Sequence, residues 1–300
     1  MNELEHYRKL IKEIVFDSTS QENIVSTSVS GLTFIRFDEP TKEESYILSP
    51  NICIILQGRK TAFLGKESYV YDSSSMLVSA FNAPIVSRVH DIEPAAPYLG
   101  LTVALDLELL AEITAEESFN YHDADVRNEF VTVVSISSEI LSSVYRLSKL
   151  SQNRENSTFL QSNIKKELYY HLLCSEQGHH LRRIVTRGSN LYKVSKAAKW
   201  IKDNHAMSFK MEDLALQASM SLSSFNKCFK SITCMSALQY QKRIRLNEAR
   251  KLILSGLKDA QNAAFSVGYE SPSQFSREYS REFGLPPLKD FKELAKKMPD

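Results

Sequence analysis

The hydrophobic texture of this chain changes once, near Leu105, and that change limits the fold more than any other feature. From Ile24 to about Leu105 the apolar residues come in short, β-rich runs: ICIILQG, KTAFLG, SYVYD and SMLVSAF. Turn signals separate them, at Ser49-Pro50, Gln57-Gly58, Leu64-Gly65-Lys66 and Tyr71-Asp72 followed by three serines. Strands this short, spaced about 8–12 residues apart, predict a β-sandwich or small barrel. Beyond Leu105 apolar residues recur at steps of three and four, in LELLAEI, SSEILSSVYRLSKL and FLQSNIKKELYYHLLCSEQG. That period predicts helices, and SQNRENS (151–157) reads as the connection between two of them. Residues 1–20 predict a further amphipathic helix through Leu4, Tyr7, Ile11, Ile14 and Val15. Strands first and helices after them define an α+β chain. Three hundred residues suit two domains, and the polar, glycine-flanked GHHLRRIVTRGSN (178–190) reads as the boundary.

Composition narrows the setting. No apolar run approaches the roughly 20 residues of a membrane span. The N-terminus MNELEHYRKLIKEIV is charged and has no apolar export core, so a cytoplasmic protein is expected. Cys53, Cys174, Cys228 and Cys234 have no C-x-x-C spacing and read as free thiols; a Cys228–Cys234 redox pair is the alternative. The net charge of +1 conceals an asymmetry: residues 189–300 carry 19 Lys+Arg against 11 Asp+Glu, whereas residues 1–188 carry 18 against 25. A basic half on an acidic chain suits a polyanionic partner, although charge alone is equally an ordinary solvated surface.

Two stretches of the basic half, 208–235 and 257–284, share one plan. In the first, Ser208 is read as the cap of a short helix with Met211, Leu214, Ala215 and Ala218 inward. After a turn at Ser219-Met220, Ser221 caps a second helix. There Phe225, Phe229 and Ile232 fall on one face, and Ser223, Asn226, Lys227 and Lys230 on the other. In the second stretch Gly268 suits a left-handed turn, Ser271 an N-cap and Pro272 the first helical position. Phe275, Tyr279 and Phe283 form the inner stripe, with Ser273, Ser276, Arg277 and Ser280 outward. Gly284 then Pro286-Pro287 end the helix. A helix anchored by aromatics on one side and lined by serine, asparagine and cations on the other fits a DNA major groove. Taken singly, each reads first as a solvated amphipathic helix; two such units about 50 residues apart in a basic region favour DNA. Between them ALQYQKRIRLNEARKLIL predicts one long helix whose Arg243, Arg245 and Arg250 are read as solvated, or as meeting phosphate or acidic partners.

These residues resemble a known family. LALQASMSLSSFNKCFK, QYQKRIRLNEARKLI and AAFSVGYESPSQFSREYSREFG are similar to the C-terminal DNA-binding domain of the AraC/XylS transcription regulators. The resemblance implies two helix-turn-helix units whose recognition helices enter successive major grooves, roughly 34 Å apart. It implies base contacts from Ser223, Asn226 and Lys227 and from Ser273, Ser276 and Arg277. Backbone contacts are implied for Ser221, Ser224, Lys230, Ser271 and Gln274. Three features depart from the family pattern. Ser219 and Cys234 stand where glycine is common. The ending Pro287-Leu-Lys-Asp-Phe291 is one residue longer, which leaves the last helix open to displacement. Ser223 is short for base readout. Residues 24–110 resemble the cupin-like N-terminal domain of one branch of this family, and 130–190 its helical segment. The resulting organisation is an N-terminal helix (1–23), a cupin-like regulatory domain (24–110), a helical linker or dimerisation segment (111–188) and a double helix-turn-helix domain (189–300).

The function expected is a bacterial, sequence-specific DNA-binding transcription regulator, controlled by a small effector at the N-terminal barrel and not an enzyme. Double-stranded DNA, a homodimer partner and RNA polymerase are the expected partners, with no membrane and no cofactor. Effector-binding residues stay open among Phe34, Tyr46, Phe63, Tyr69, Tyr71, Phe81 and Arg88, because alternation does not say which strand face points inward. Two alternatives belong to other classes: a cupin-type metalloenzyme, and a partner-binding module without base readout. Against the first, the barrel region holds only His90, and His6, His122, His171, His179, His180 and His205 are scattered. His179-His180 read as solvated residues of a polar link. No phosphate-loop or nucleophile-elbow motif occurs. Truncating the inner stripe tests the helix reading: Phe229→Ala is expected to cost roughly 3–5 kcal/mol, visible as a lowered melting curve.

Overall fold

The computed structural model describes residues 2–92, 96–117, 119, 130–153, 157–176 and 178–295; His122 and the centre of the 151–157 connection lie outside them. Helix α1 (Glu3–Ser18) begins the chain, with Asn2 as its cap and Ile11, Ile14 and Val15 buried. Nine strands follow: β1 (Ile24–Ser26), β2 (Leu32–Phe37), β3 (Glu44–Leu48), β4 (Asn51–Gln57), β5 (Arg59–Leu64), β6 (Glu67–Asp72), β7 (Ser75–Ser79), β8 (Ala83–His90) and β9 (Tyr98–Ala104). After α2 (Leu107–Glu116) the chain returns as β10 (Val131–Ser135) to pair with β7. The strand-forming part therefore does not end at Leu105. The β-branched run Val131-Thr-Val-Val lies between helical stretches, and the helical period around it masks it.

The strands form two antiparallel sheets, in the orders β1-β2-β9-β4-β7-β10 and β3-β8-β5-β6. Register settles the direction that alternation left open. Ile52 lies opposite Val103 and Ile54 opposite Leu101, so these four share the face on which α1 rests. Cys53, opposite Thr102, faces the other sheet and meets Tyr71 there. Helices α3 (Ser138–Ser151) and α4 (Thr158–Cys174) continue the layer begun by α1. Tyr169 of α4 ties this layer to the sheet, donating to the Ala104 carbonyl at 2.8 Å and accepting from the Asp106 amide at 3.0 Å.

The segment 178–190 is not a plain polar link. Residues Gly178–Val185 form helix α5, whose His180, Leu181, Ile184 and Val185 are buried against neighbouring helices. Leu181, Ile184 and Val185 stand at helical spacing, but the charged residues between them dilute the pattern. His180 is 4% exposed, and its Nδ1 has no hydrogen-bond partner among the described residues. It is not the solvated residue the sequence suggests.

The second domain is helical: α6 (Asn190–Asp203), α7 (Met211–Gln217), α8 (Leu222–Thr233), α9 (Ala237–Leu254), α10 (Ala260–Ser266), α11 (Pro272–Phe283) and α12 (Pro287–Ala295). It is docked on the first domain. The Tyr240 hydroxyl donates to the Asn82 carbonyl at 2.6 Å, and Lys202 reaches the Asn82 side chain at 2.6 Å. The Phe81 ring stacks between Phe130 and Tyr240, with centroids 4.6 and 6.2 Å away. All four cysteines are free, and no helix among the described residues is long and apolar enough to cross a membrane.

His180 gives the fold a pH dependence. Burial, helped by His179 and Arg183, pushes its pKa down from 6.5 to about 4. Between those values the unfolded chain takes up the proton and the folded chain does not, so stability falls as pH drops through that window. The melting temperature is expected to fall from about pH 7 to about pH 5, and less steeply in His180→Gln.

Candidate nucleic-acid interface

Each unit is built from the backbone outward. In the first, α7 ends at Ala218 and the chain turns at Ser219, which holds φ +51°. The Met220 amide bonds to the Ala215 carbonyl at 2.9 Å and the Ser219 amide to the Leu216 carbonyl at 2.9 Å. In the second, Gly268 takes φ +89°, the Tyr269 amide bonds to Ala264 at 3.0 Å and the Gly268 amide to Phe265 at 3.1 Å. Both turns are the same left-handed helix stop. The second helices also end alike, at Cys234 (φ 61°) and Gly284 (φ 80°). Ser219 and Cys234 thus adopt the glycine conformation without being glycine. The start of α7 differs from expectation: Lys210 occupies the cap position without a side-chain bond, and Ser208 is exposed in the preceding loop.

The recognition helices match in their first turns. Ser221 accepts the Ser224 amide at 3.3 Å, and Ser271 accepts the Gln274 amide at 3.3 Å. Each serine oxygen therefore serves as a cap while its hydroxyl hydrogen remains for a phosphate oxygen. In α8, Phe225, Phe229 and Ile232 are buried, and Ser223, Ser224, Asn226, Lys227 and Lys230 are exposed. In α11, Phe275 and Tyr279 are buried and Phe283 half-buried; Ser273, Gln274 and Arg277 are exposed. Ser276 and Ser280 are half-buried, and the Ser280 hydroxyl bonds back to the Ser276 carbonyl at 2.8 Å. Arg281, one turn beyond Arg277, is also exposed and extends the cationic row; its i+4 spacing was legible in the sequence but unused.

The arginines of α9 are neither solvated nor free for phosphate. Arg245 donates to the carbonyls of His205 (2.6 Å) and Gly268 (2.9 Å), and its second terminal nitrogen reaches Ala206 and Met207. Arg250 makes a two-pronged pair with Asp290 of α12 at 2.7 and 3.0 Å, and Tyr279 donates to the same carboxylate at 2.7 Å. Despite the longer ending, α12 packs on α9 and α11. Arg243 faces Glu282 at 3.6 Å and the Pro84 carbonyl at 3.3 Å.

The first domain touches the far ends of both recognition helices. The Ser45 hydroxyl of β3 donates to Glu282 in the last turn of α11 at 2.8 Å. A side-chain carbon added at Gly65, in the β5–β6 turn, would come within 2.9 Å of the Cys234 Cβ that follows α8. The N-terminal turns, with Ser221–Lys227 and Ser273–Arg277, stay clear of these contacts.

Of the effector candidates, Phe34 is buried on the α1 side, Phe81 lies at the domain junction and Arg88 points outward to Glu43 at 3.9 Å. Phe63 and Tyr69 are half-buried. Tyr46, Tyr69 and Tyr71 lie on strand faces turned toward the other sheet, near Lys60 and Cys53, which sequence reasoning did not select. Among the described residues, no three of His, Cys, Asp and Glu gather as a metal site would require.

Paired helix-turn-helix units beneath a two-sheet domain define the class. Residues 28–180 match the model of the AraC-type transcriptional regulator N-terminus, and residues 214–293 a helix-turn-helix domain. The chain belongs to the AraC-type transcriptional regulators, and its second domain is their DNA-binding domain. Similar curated proteins include the transcriptional activator RhaS of Klebsiella pneumoniae strain 342, 28% identical over 99 residues, or 33% of this chain and 36% of RhaS. Another is the virulence regulon activator VirF of Yersinia enterocolitica, 27% identical over 89 residues, or 30% of this chain and 33% of VirF. The match thus covers about a third of these relatives' length. Among solved structures, apo ToxT of Vibrio cholerae carrying a lysine-to-alanine substitution shares the fold, with TM-score 0.60, 12% identity and coverage of 89% of this chain and 98% of ToxT. ToxT bound to an unsaturated fatty acid gives TM-score 0.56 over 89% and 96% of the two chains, again at 12% identity.

The two left-handed turns carry opposite expectations. Ser219→Gly relieves a side chain held at positive φ and should raise stability by up to about 1 kcal/mol. Gly268→Ala would place a carbon 2.1 Å from the Ala206 carbonyl oxygen. It should cost about 2–4 kcal/mol and loosen the second unit, measured by denaturant unfolding.

Proposed function

We propose that this protein is a sequence-specific regulator of transcription that reads duplex DNA with α8 and α11 and is controlled by a small effector in its two-sheet domain. One observation supports this most: two helices with matched caps and stops, each anchored by aromatics, leave serine, asparagine and cationic side chains outward, and α9 joins them. Ser223, Asn226, Lys227, Ser273, Ser276 and Arg277 are the base-reading set. Ser276, half-buried, contributes only at close approach. Ser221, Ser224, Ser271 and Gln274, at the positive helix N-termini, hold phosphate, and Lys230 and Arg281 add cationic contacts.

The domain limits 24–110, 111–188 and 189–300 keep their use as functional divisions, with β10 completing the first domain's sheet from within the second segment. A homodimer is part of this reading. Ile164, Leu168 and Leu172 of α4 are buried within one chain, so pairing through α4 would rest on exposed Phe159, Leu160 and Tyr170. The related RhaS and VirF are activators by name, which supports activation here; contact with RNA polymerase and a cytoplasmic setting belong to the same proposal. ToxT takes a fatty acid, which supports a small effector for this chain as well.

Selection of bound duplexes from a random pool, with the full chain, supplies the target for the test. Arg277→Ala should weaken the selected duplex by roughly 1–3 kcal/mol and leave random DNA nearly unchanged. Lys230→Ala should weaken both alike and reduce the salt slope by about 1. Equal losses on selected and random DNA in Arg277→Ala would remove its base-reading role.

A further inference from the structure

We propose that Arg245 is a positioning residue for DNA recognition: its guanidinium fixes the second helix-turn-helix unit against the first, and so decides which separation of two half-sites the protein accepts. The inference rests on the reading of α8 and α11 as the two base-reading helices, and adds what determines the distance and phase between them.

Apolar packing leaves that relation open. Helix α9 buries Ala237, Tyr240 and Ile244 in one cluster with Phe225 and Phe229 of the first unit. It buries Leu246, Ala249 and Ile253 in a separate cluster with Phe275 and Tyr279 of the second. Ile244 and Leu246 are two positions apart, so they leave the helix about 200° from one another. Each cluster holds its own unit to α9, and neither holds one unit to the other.

Arg245 crosses that gap from the flank of α9. Its Nε donates to the His205 carbonyl at 2.6 Å, and one terminal nitrogen reaches the carbonyls of Ala206 and Met207 at 3.3 and 3.2 Å, in the loop that leads into α7. The other terminal nitrogen donates to the Gly268 carbonyl at 2.9 Å, in the turn of the second unit. One planar group thus grips backbone from both units, and its donors do not move independently. The two backbones also abut, since a carbon added at Gly268 would lie 2.1 Å from the Ala206 carbonyl oxygen. Gly268 stands just before Ser271 and Pro272, which open α11, so a displaced turn carries that helix with it. The matching turn of the first unit is held more loosely: the Ser219 carbonyl accepts from Lys193 at 3.4 Å, an exposed contact. The half-buried Arg245 acts through position and not by touching DNA, because its donors are already taken by carbonyls.

Selected duplexes that carry both half-sites, remade with one base pair inserted or removed between them, test this. One base pair moves the second half-site by about 3.4 Å and turns it by about 35°. The full wild-type chain should prefer the selected separation over either altered one by about tenfold or more. Arg245→Ala should bind the selected duplex more weakly and narrow that preference by about threefold or more. Arg245→Lys keeps the charge but lacks the fork, and should narrow it too. Ile253→Val trims the second core; it should lower the melting temperature and leave the preference as in the wild type. That contrast separates positioning from stability alone. If Arg245→Ala does not melt cooperatively, Arg245→Lys decides. Affinity lost equally at every separation in the Arg245 variants, or a wild type indifferent to separation, would overturn the inference and leave base reading by both helices standing. If Asn226→Ala or Arg277→Ala leaves the base preference of its own half-site intact, the two-helix reading falls and takes the inference with it.

Discussion

Arg245 holds the DNA-binding half together. Its guanidinium collects the carbonyls of His205 and Ala206, from the loop before α7, and of Gly268, from the turn of the second unit. Gln241, one turn earlier on α9, donates to the carbonyls of His205 and Met207 at 2.9 and 2.7 Å. Carbonyl groups at loop and helix ends need donors, and a planar group with five of them can serve several at fixed angles. Gly268 completes the joint, since any side chain there would strike the Ala206 carbonyl. The spacing of two reading helices is a geometric quantity. Here it is set by one arginine and one missing methyl group rather than by the helices themselves.

The first domain completes the arrangement from the other side. Asn82 receives Tyr240 through its backbone and Lys202 through its side chain. Ser45 and the β5–β6 turn meet the far ends of α11 and α8. These contacts belong to β3 and to the β5–β6 hairpin. Lys60 and Tyr46, the bonded pair inside, stand on β5 and β3 as well. Tyr46 points inward and its neighbour Ser45 bonds Glu282, so a shift of β3 would be felt at both. β3 is thus a contiguous connection from the interior of the first domain to the last turn of α11.

What the sequence made legible was whatever depended on local rules. The caps at Ser221 and Ser271, the stops at Gly268 and Gly284 and the aromatic stripes each follow from backbone chemistry within one turn, and all stand in the structure. Arg243, Arg245 and Arg250 were illegible for the opposite reason. Whether an arginine on a helix is solvated or paired depends on what the rest of the chain brings to it, and only folding puts Gly268, Glu282 and Asp290 there. The same holds for His180 and Lys60, whose neighbours come from other elements. The inward face of β2 and β9 was hidden because both faces of those strands are apolar, and register alone separates them.

The apolar core divides at this same arginine. One cluster runs from the sheets through Phe225, Phe229 and Tyr240 to Ile244; the other begins at Leu246 and takes in Phe275 and Tyr279. Arg245 lies between them. The first unit is therefore continuous with the first domain's interior, and the second has a small core of its own. Apolar packing is additive and tolerant of small shifts only within one cluster, so across the division the hydrogen bonds of Arg245 and the contacts of Glu282 fix the geometry. Polar joints of this sort have defined directions and can be exchanged for other partners, among them water and phosphate, at modest free-energy cost. Two helix-turn-helix units whose cores are separate are thus held at one spacing by a directional polar joint rather than by a continuous hydrophobic core.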